Sequence, residues 1–178
     1  YAHLDIVWVL EAWLQLNPAL LARGNERGVE IENQLIYPLL EMERVGFNIK
    51  KDYLLECRDK MKAYILQRRN RLYELAGEHI KVGQSARIIQ LMQERFNQTV
   101  TSSSAEVLDR LASDLQRANT QPECVEFIHV LDELRTLEKW YAVYILRFIR
   151  ELQNTDRLYT TIHQVGTVSG RVTSDFQQ

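Results

Sequence analysis

The sequence of 178 residues has few of the features that mark secreted, membrane or strongly basic proteins. Its only cysteines, Cys57 and Cys124, form no Cys-x-x-Cys pattern, which indicates free thiols in a reducing compartment. The formal net charge is −2, so any contact with nucleic acid must come from local clusters of basic residues. No apolar run approaches the length of a membrane span, and no signal peptide is recognised. A soluble, cytoplasmic protein that does not bind membranes is expected.

Motifs for common catalytic chemistries are also missing. The sequence has no glycine-rich phosphate loop, no Gly-x-Ser-x-Gly turn and no catalytic Cys and His arrangement. Its four histidines lie far apart and form no cluster of metal ligands. Three other features carry the functional argument: a basic helix, a short pattern at the start of the chain and a polar stretch at its end.

Hydrophobic periodicity predicts a mainly α-helical fold. Apolar residues recur at helical spacing through most of the chain, and only the last part is β-branched and rich in hydroxyl groups. One strand is predicted over 157–164, as half of a hairpin or as the edge of a sheet. The six predicted helices lie at about 1–16, 29–44, 52–76, from 84, from 103 and over 122–153.

Proline and glycine set the predicted helix ends. Pro18, preceded by Asn17, should end the first helix, which is expected to be buried. Pro38 should kink or break the second helix. Gly46 and Gly77 stand where glycines commonly end helices, and a short extended piece should follow Gly46.

Other residues indicate where helices begin. Asp52 is a suitable N-cap for the third helix. A capping box is predicted at Ser103–Glu106, in which the serine and the glutamate satisfy each other's backbone N–H groups. Pro122 fits the first position of the last helix.

The third predicted helix has an excess of positive charge. Between Arg58 and Arg71 it contains six basic residues and one acidic residue, Asp59. A charged helix face is usually just solvated, but such a bias in sign also suits the phosphates of nucleic acid. The sequence leaves both interpretations open. The basic residues are Arg58, Lys60, Lys62, Arg68, Arg69 and Arg71.

Two short patterns lie near the ends of the chain. Tyr1 and Asp5 would share one helix face, where a carboxylate can bind a metal ion and a phenol can orient water. Near the other end, Gly170 lets the backbone approach a ligand, while Arg171 can reach phosphate oxygens or minor-groove acceptors. Both patterns are common by chance and are weak evidence when each is taken alone.

Taken together and in this order, the motifs resemble those of the family A DNA polymerases, the bacterial polymerase-I-like enzymes. The stretch 156–174 contains Asp-Arg-Leu-Tyr-Thr, His-Gln and Thr-Val-Ser-Gly-Arg-Val-Thr-Ser. It is similar to the family segment Gly-Arg-Leu-His-Thr … Gln … Thr-Ala-Thr-Gly-Arg-Leu-Ser-Ser. The stretch 40–49 is similar to the Glu-x-x-Gly-Ile/Val element that leads into the thumb, and 1–5 stands where the third 3′–5′ exonuclease motif would be. The resemblance covers nearly the whole chain.

The resemblance implies a domain organisation and a function. Residues 1–25 would be the C-terminal helix of an exonuclease-like domain, 26–153 a helical thumb with its lead-in helix, and 154–178 the start of the palm. The implied thumb is elongated, with long antiparallel helices, and one or two strands come from the palm. The chain would be part of a template-directed DNA polymerase in replication or repair, with the thumb holding the primer–template duplex.

The resemblance also implies roles for individual residues. Arg171 matches the family arginine that contacts the primer-terminal base pair, and Gln164 and Gln177 match polar residues that line the duplex. Asp5 would be one ligand of the exonuclease metal site, with Tyr1 orienting water. The thumb residues implied in phosphate contacts are Lys60, Arg68, Arg69, Arg71, Ser85 and Ser103.

One departure from the family concerns the end of the thumb. The family has an Arg-x-x-x-Lys-Leu-x-Ser-Thr-Tyr pattern there, whereas this chain has Asp132 and Thr136 in place of the arginine and the lysine. Arg135 lies beside the lysine position, and whether it substitutes for the lysine is left open. These departures indicate a divergent member.

The family's catalytic carboxylates hold two Mg²⁺ ions and lie in palm motifs that would follow residue 178. The resemblance therefore implies no catalytic residue and no cofactor within this chain, with Mg²⁺ and dNTP binding only in the full-length enzyme. Two alternatives stay open: a self-standing helical module that binds DNA or another partner, and a remnant of a proofreading exonuclease.

Overall fold

The structure is a computed structural model that describes residues 2–176, with side chains from residue 3. The chain forms two compact units. Unit 1 comprises the residues up to Asn48 together with those from Arg157 onward, and unit 2 comprises Ile49–Asp156. The fold is mainly helical with a few short strands, as predicted. The domain limits at 25/26 and 153/154, which the resemblance implies, remain predictions.

Unit 1 begins with two helices, α1 (Ala2–Ala22) and α2 (Glu26–Val45). The predicted end of α1 at Pro18 is wrong, since the helix continues to Ala22. The four residues after Pro18 are alanines and leucines, which are strong helix formers and continue the helix beyond the proline. Pro38 likewise lies inside α2, which it does not break.

The expectation that the first helix is buried is also wrong. Most apolar side chains of α1 are exposed, and Trp8 keeps 71% of its surface accessible. By length and composition, His3–Ala22 is long and apolar enough to cross a membrane, contrary to the expectation from the sequence. Core helices of soluble proteins and signal sequences have the same composition, so this property is weak evidence. The cytoplasmic location therefore remains a prediction.

Gly46 ends α2, as predicted. Its φ is +65°, and its N–H donates to the carbonyl of Met42 over 2.9 Å. A Cβ at this position would lie 2.6 Å from the carbonyl oxygen of Leu158. Both the backbone conformation and the close approach of the neighbouring strand therefore require glycine.

The strands of unit 1 pair in two antiparallel ladders. The first joins β1 (Phe47–Asn48) to β2 (Arg157–Leu158), and the second joins β3 (Ile162–His163) to β4 (Thr173–Ser174). The single strand predicted over 157–164 is therefore wrong. The chain changes its pairing partner between Leu158 and Ile162, which divides the stretch into two strands.

All regular secondary structure in unit 2 is helical, and loops join the helices. Its first helices are α3 (Lys51–Ala76), α4 (Ser85–Phe96) and α5 (Ala105–Arg117). A continuous helical run follows as α6 (Pro122–Trp140), a π-helical segment (Tyr141–Leu146) and α7 (Arg147–Glu151).

The core of unit 2 forms where α6 packs against α3 and α5. Many of the periodic apolar residues lie in this core, and Leu72 has no exposed surface. Truncating such a leucine to alanine costs about 2–5 kcal/mol of the free energy of unfolding. Other fully or nearly fully buried core residues are Ile88, Leu91, Met92, Leu108, Phe127, Ile128, Leu131 and Leu134. The prediction that the pattern stays buried to the end of the helical run is wrong, since Tyr144, Ile145 and Phe148 are only partly buried.

The two cysteines are free thiols, as predicted, and burial raises the pKa of Cys124 to about 11. A thiol with so high a pKa is almost entirely protonated at neutral pH and is therefore a poor nucleophile.

Not all predicted caps of unit 2 form. Gly77 ends α3 in the left-handed conformation, and Pro122 occupies the first turn of α6, as predicted. Asp52 is not the N-cap of α3, because the helix already begins at Lys51. The predicted capping box is also wrong, since Ser104 is the N-cap of α5 and makes no side-chain cap. Glu106 pairs with Arg110 instead.

Candidate nucleic-acid interface

The arginines of α3 face acidic residues of α6. Arg68 forms an ion pair with Glu133, whose other oxygen accepts a hydrogen bond of 2.6 Å from the Tyr64 hydroxyl. The side chains of Arg68 and Glu133 are only 30% and 32% exposed. Burial alone would raise the pKa of Glu133, but the hydrogen bonds from Tyr64 and Arg68 outweigh it and hold the pKa below its usual value.

The next two arginines are paired in the same way. Arg69 donates to Glu138 over 2.7 Å. Arg71 donates through two nitrogens to both oxygens of Glu126, at 2.8 Å each. The hydrogen bond from Arg71 lowers the pKa of Glu126, and the same contact raises that of Arg71. We call the pairs Arg68–Glu133, Arg69–Glu138 and Arg71–Glu126 the ion-pair row.

The first part of α3 is also partly neutralised. Arg58 pairs with the adjacent Asp59, and Lys60 pairs with Glu56 over 2.6 Å. The exposed Lys62 has no such partner among the described residues. The positive bias that the sequence shows along α3 is therefore largely balanced in the folded surface. Whether Lys60, Arg68, Arg69 and Arg71 contact DNA remains a prediction.

A different part of unit 2 brings two helix N-termini together. A hollow of about 580 Å³ lies where α4 and α5 begin. A second hollow of about 710 Å³ shares Val82, Gly83 and Glu138 with it and is also lined by Lys81 and by Arg69 of the ion-pair row. We call the two together the helix-start surface. The first hollow is lined by Val82, Gly83, Ser85, Ser102, Ser103, Ser104, Arg135, Glu138 and Lys139.

The helix starts at this surface are open to a ligand. Neither α4 nor α5 has a side-chain cap among the described residues. By the geometry of an α-helix, the N–H groups of 86–87 and 105–107 have no acceptor within their own helices. Such N–H groups, together with the helix dipole, favour the binding of anions.

The two predicted serines differ at this surface. Ser85 is exposed at the first position of α4. Ser103 is only 4% exposed, and its hydroxyl accepts a hydrogen bond from Arg135. A contact of Ser85 with phosphate therefore needs no rearrangement, whereas one through the side chain of Ser103 would. Both roles remain predictions.

Two lysines complete the surface. Lys81 and Lys139 are exposed, and no acidic side chain pairs with either of them among residues 3–176. The acidic residue of the surface, Glu138, is instead paired with Arg69. Sequence reasoning missed both lysines. Only the fold reveals that they share hollows with the helix starts.

The predicted arginine of unit 1 lies in a compact turn. The Thr167 hydroxyl accepts from the N–H of Arg171 over 2.9 Å and donates to its carbonyl over 3.0 Å. Gly170, with φ of +71°, makes the turn possible. These bonds use only the backbone of Arg171, and its exposed guanidinium has no partner among the described residues.

Only one of the two glutamines predicted to contact DNA, Gln164, lies within the described residues. The side-chain amide of Gln164 donates to the backbone carbonyl and to the carboxylate of Glu32, at 2.5 and 2.6 Å. Contact of Gln164 with DNA would compete with these bonds. Gln177 lies outside the described residues.

The predicted metal position is not supported by neighbouring ligands. Asp5 is exposed on α1, and Tyr1 lies outside the described residues. Among the residues that the structure describes, no group of three or more His, Cys, Asp or Glu side chains can hold a metal ion. The prediction makes Asp5 one ligand of a site whose other ligands lie elsewhere, so the role of Asp5 remains a prediction.

The fold and this geometry define a mainly helical chain with a surface suited to phosphate groups. Comparison with known proteins shows which proteins of this kind the chain is similar to. Protein-family models give no match, but curated DNA polymerases match most of the chain. It is 26% identical over 152 residues to DNA polymerase I of Caldicellulosiruptor bescii and 28% identical over 163 residues to that of Bacillus caldotenax. It is 23% identical over 185 aligned positions to DNA polymerase DpoZ of Vibrio phage phiVC8.

These matches confirm the resemblance to polymerase-I-like DNA polymerases. They cover 81%, 85% and 97% of this chain for the Caldicellulosiruptor, Bacillus and phage proteins, respectively. The chain spans only 17%, 18% and 29% of the length of these relatives. It is therefore similar to one portion of these DNA polymerases.

Proposed function

We propose that this chain is part of a template-directed DNA polymerase and that unit 2 is the thumb that holds the primer–template duplex. The observation that carries the proposal is the similarity to DNA polymerases over 81–97% of the chain. The mainly helical fold agrees with a role in holding DNA. We place catalysis in other parts of the polymerase.

The helix-start surface supports the assignment of unit 2 to duplex binding. Duplex DNA presents rows of phosphates, and these bind both backbone N–H groups at helix N-termini and lysine side chains. The surface offers open helix starts at 86–87 and 105–107, with Lys81 and Lys139 beside them. Such contacts read the backbone of DNA and not its sequence, as a polymerase that copies any template requires.

Arg171 is the proposed contact to the primer end. Its backbone is fixed by Thr167, while its guanidinium is exposed and has no partner among the described residues. With its backbone fixed, Arg171 can donate through its guanidinium to the acceptors that all base pairs share in the minor groove. Mg²⁺ and dNTP belong to the proposed full-length reaction, and no residue described here is assigned to hold them.

Two measurements on the proposed full-length polymerase, which we call the intact protein, test the proposal. We expect extension of a primed template in the presence of all four dNTPs, and duplex binding that weakens steeply as salt rises. Duplex binding without primer extension would favour the self-standing DNA-binding module. Absence of both activities would contradict the proposal.

A further inference from the structure

One arginine joins the two loops that precede α4 and α5. From α6, Arg135 donates through Nε to the carbonyl of Val82 over 3.0 Å. Its Nη1 donates to the carbonyl of Ser103 over 2.6 Å, and its Nη2 donates to the Ser103 hydroxyl over 3.3 Å. Val82 lies three residues before α4, and Ser103 lies two residues before α5. A single guanidinium therefore links three elements of unit 2.

This geometry depends on the shape of the guanidinium. Its nitrogens are fixed in one plane and point in different directions, so one side chain can reach acceptors on separate loops. A lysine ammonium at the same place has the same charge but cannot hold this planar arrangement. Arg135 is half-buried, and burial lowers its pKa, although the nearby Asp132 opposes the shift. An arginine stays charged under these conditions.

We propose that Arg135 is a positioning residue for duplex binding: it holds the starts of α4 and α5 at a fixed separation, so that their backbone N–H groups meet one stretch of DNA backbone. The inference rests on the proposed function, since it assumes that unit 2 binds duplex DNA. The guanidinium nitrogens of Arg135 donate their hydrogen bonds to Val82 and Ser103 and not to phosphate. The side chain thus contributes to binding through Val82 and Ser103.

A positioning role differs measurably from a direct contact with phosphate. Loss of a charged contact reduces the slope of log affinity against log salt by about one. Loss of positioning weakens binding at every salt concentration and leaves this slope unchanged, because no charged contact is removed. The substitution Arg135→Lys separates the two roles, since it keeps the charge and removes the link between the loops.

The test uses the intact protein and a short DNA duplex over a range of salt, at a temperature where each variant is folded. We expect Arg135→Lys and Arg135→Met to weaken binding by about tenfold each, with an unchanged salt slope. We also expect faster hydrogen exchange at the starts of α4 and α5. Arg95→Lys is the matched control, because Arg95 also donates to a backbone carbonyl, that of Leu75, away from these loops. The control should keep the affinity of the natural protein.

Several outcomes would overturn the inference. If Arg135→Lys binds as tightly as the natural protein, the link between the loops does not matter for binding. If Arg135→Met reduces the salt slope and Arg135→Lys does not, Arg135 contacts phosphate directly. If Arg135→Met does not fold, the comparison of Arg135→Lys with Arg95→Lys still decides. If the natural protein itself does not bind duplex DNA, the proposed function fails, and the positioning role fails with it.

Discussion

The two groups of basic residues in unit 2, at the ion-pair row and at the helix-start surface, differ in whether acidic side chains pair with them. In the ion-pair row, Arg68, Arg69 and Arg71 each face a glutamate of α6. At the helix-start surface, Lys81 and Lys139 have no acidic partner among the described residues. Yet the sequence around these lysines, unlike that of α3, shows no obvious excess of positive charge. The comparison teaches that the placement of acidic residues in the fold, and not the count of basic residues along a helix, decides which cations remain available to DNA.

A single helix contributes to both regions. Adjacent residues on an α-helix point in directions about 100° apart, so Glu138 can pair with Arg69 while Lys139 points elsewhere. The row is thus suited to hold α3 against α6. The helix-start surface, with its open N–H groups, is suited to bind an anion.

Reversing the charge of the unpaired lysines should have the largest effect on binding. We expect the double variant Lys81→Glu with Lys139→Glu to lower duplex affinity by about a hundredfold near physiological salt, with a slope reduced by about two. The reason is that two phosphate contacts become repulsive. The measurement is a salt titration of binding by the intact protein. Arg23→Glu with Arg27→Glu makes the same change in net charge in unit 1, and equal losses in both double variants would contradict a local contact.

The next largest effect is expected at Arg171. This arginine lies in unit 1 and, like Lys81 and Lys139, has no acidic partner among the described residues. We expect Arg171→Ala in the full-length enzyme to lower kcat/KM for nucleotide addition by about tenfold or more. The melting temperature should stay the same, because the guanidinium has no partner among the described residues. Arg150→Ala removes another exposed arginine and serves as the control. Normal turnover in Arg171→Ala would rule out its proposed role.

Releasing the paired arginines should have a smaller effect, and in the opposite direction. We expect the triple variant of Glu126, Glu133 and Glu138 to Gln to bind duplex DNA about three- to tenfold more tightly, because Arg68 and Arg69 lose their acidic partners and Arg71 keeps only its pair with Glu74. Its melting temperature should fall, because the ion-pair row is lost. The control triple variant changes exposed glutamates that lie outside the row, Glu11, Glu26 and Glu123, to Gln. If both triple variants gain affinity equally, only net charge matters and the row does not withhold the arginines from DNA.

The smallest expected effect is a dependence of stability on pH. The pKa values of Glu126 and Glu133 are lowered in the folded state. Their pairs therefore stabilise the fold above the usual value of 4.5, and this contribution is lost as pH falls below it. We expect the melting temperature of Glu126→Gln with Glu133→Gln to fall less than that of the natural protein between about pH 6 and pH 3. Parallel pH curves for the two proteins would show that the pairs contribute nothing.

Local signals predicted much of the fold. Gly77 and Pro122 mark real helix boundaries, and periodic leucines such as Leu72 form the core, because these effects act within one or two helical turns. Predictions that ignored neighbouring elements were wrong. The stretch 157–164 is divided because its two parts pair with different strands, and Ser103 forms no capping box because α5 begins one residue later, with Ser104 as its N-cap.

The candidate site was predicted only in part. The sequence pointed to Ser85 as a helix start and to the positive charge of α3. It could not show that the glutamates opposing Arg68, Arg69 and Arg71 lie 55 to 69 residues further along the chain. For the same reason it could not show that Lys81 and Lys139, which are 58 positions apart (139 − 81), belong to one surface. Such pairings depend on how α3 and α6 pack.

Amide hydrogen exchange of the intact protein with and without duplex DNA tests the central claim most directly. The account predicts that DNA slows exchange at the N–H groups of 86–87 and 105–107, because these donors bind phosphate oxygens in the complex. Exchange at the N–H groups of Arg68, Arg69 and Arg71 should not change. Protection along the ion-pair row, with none at the starts of α4 and α5, would contradict the account.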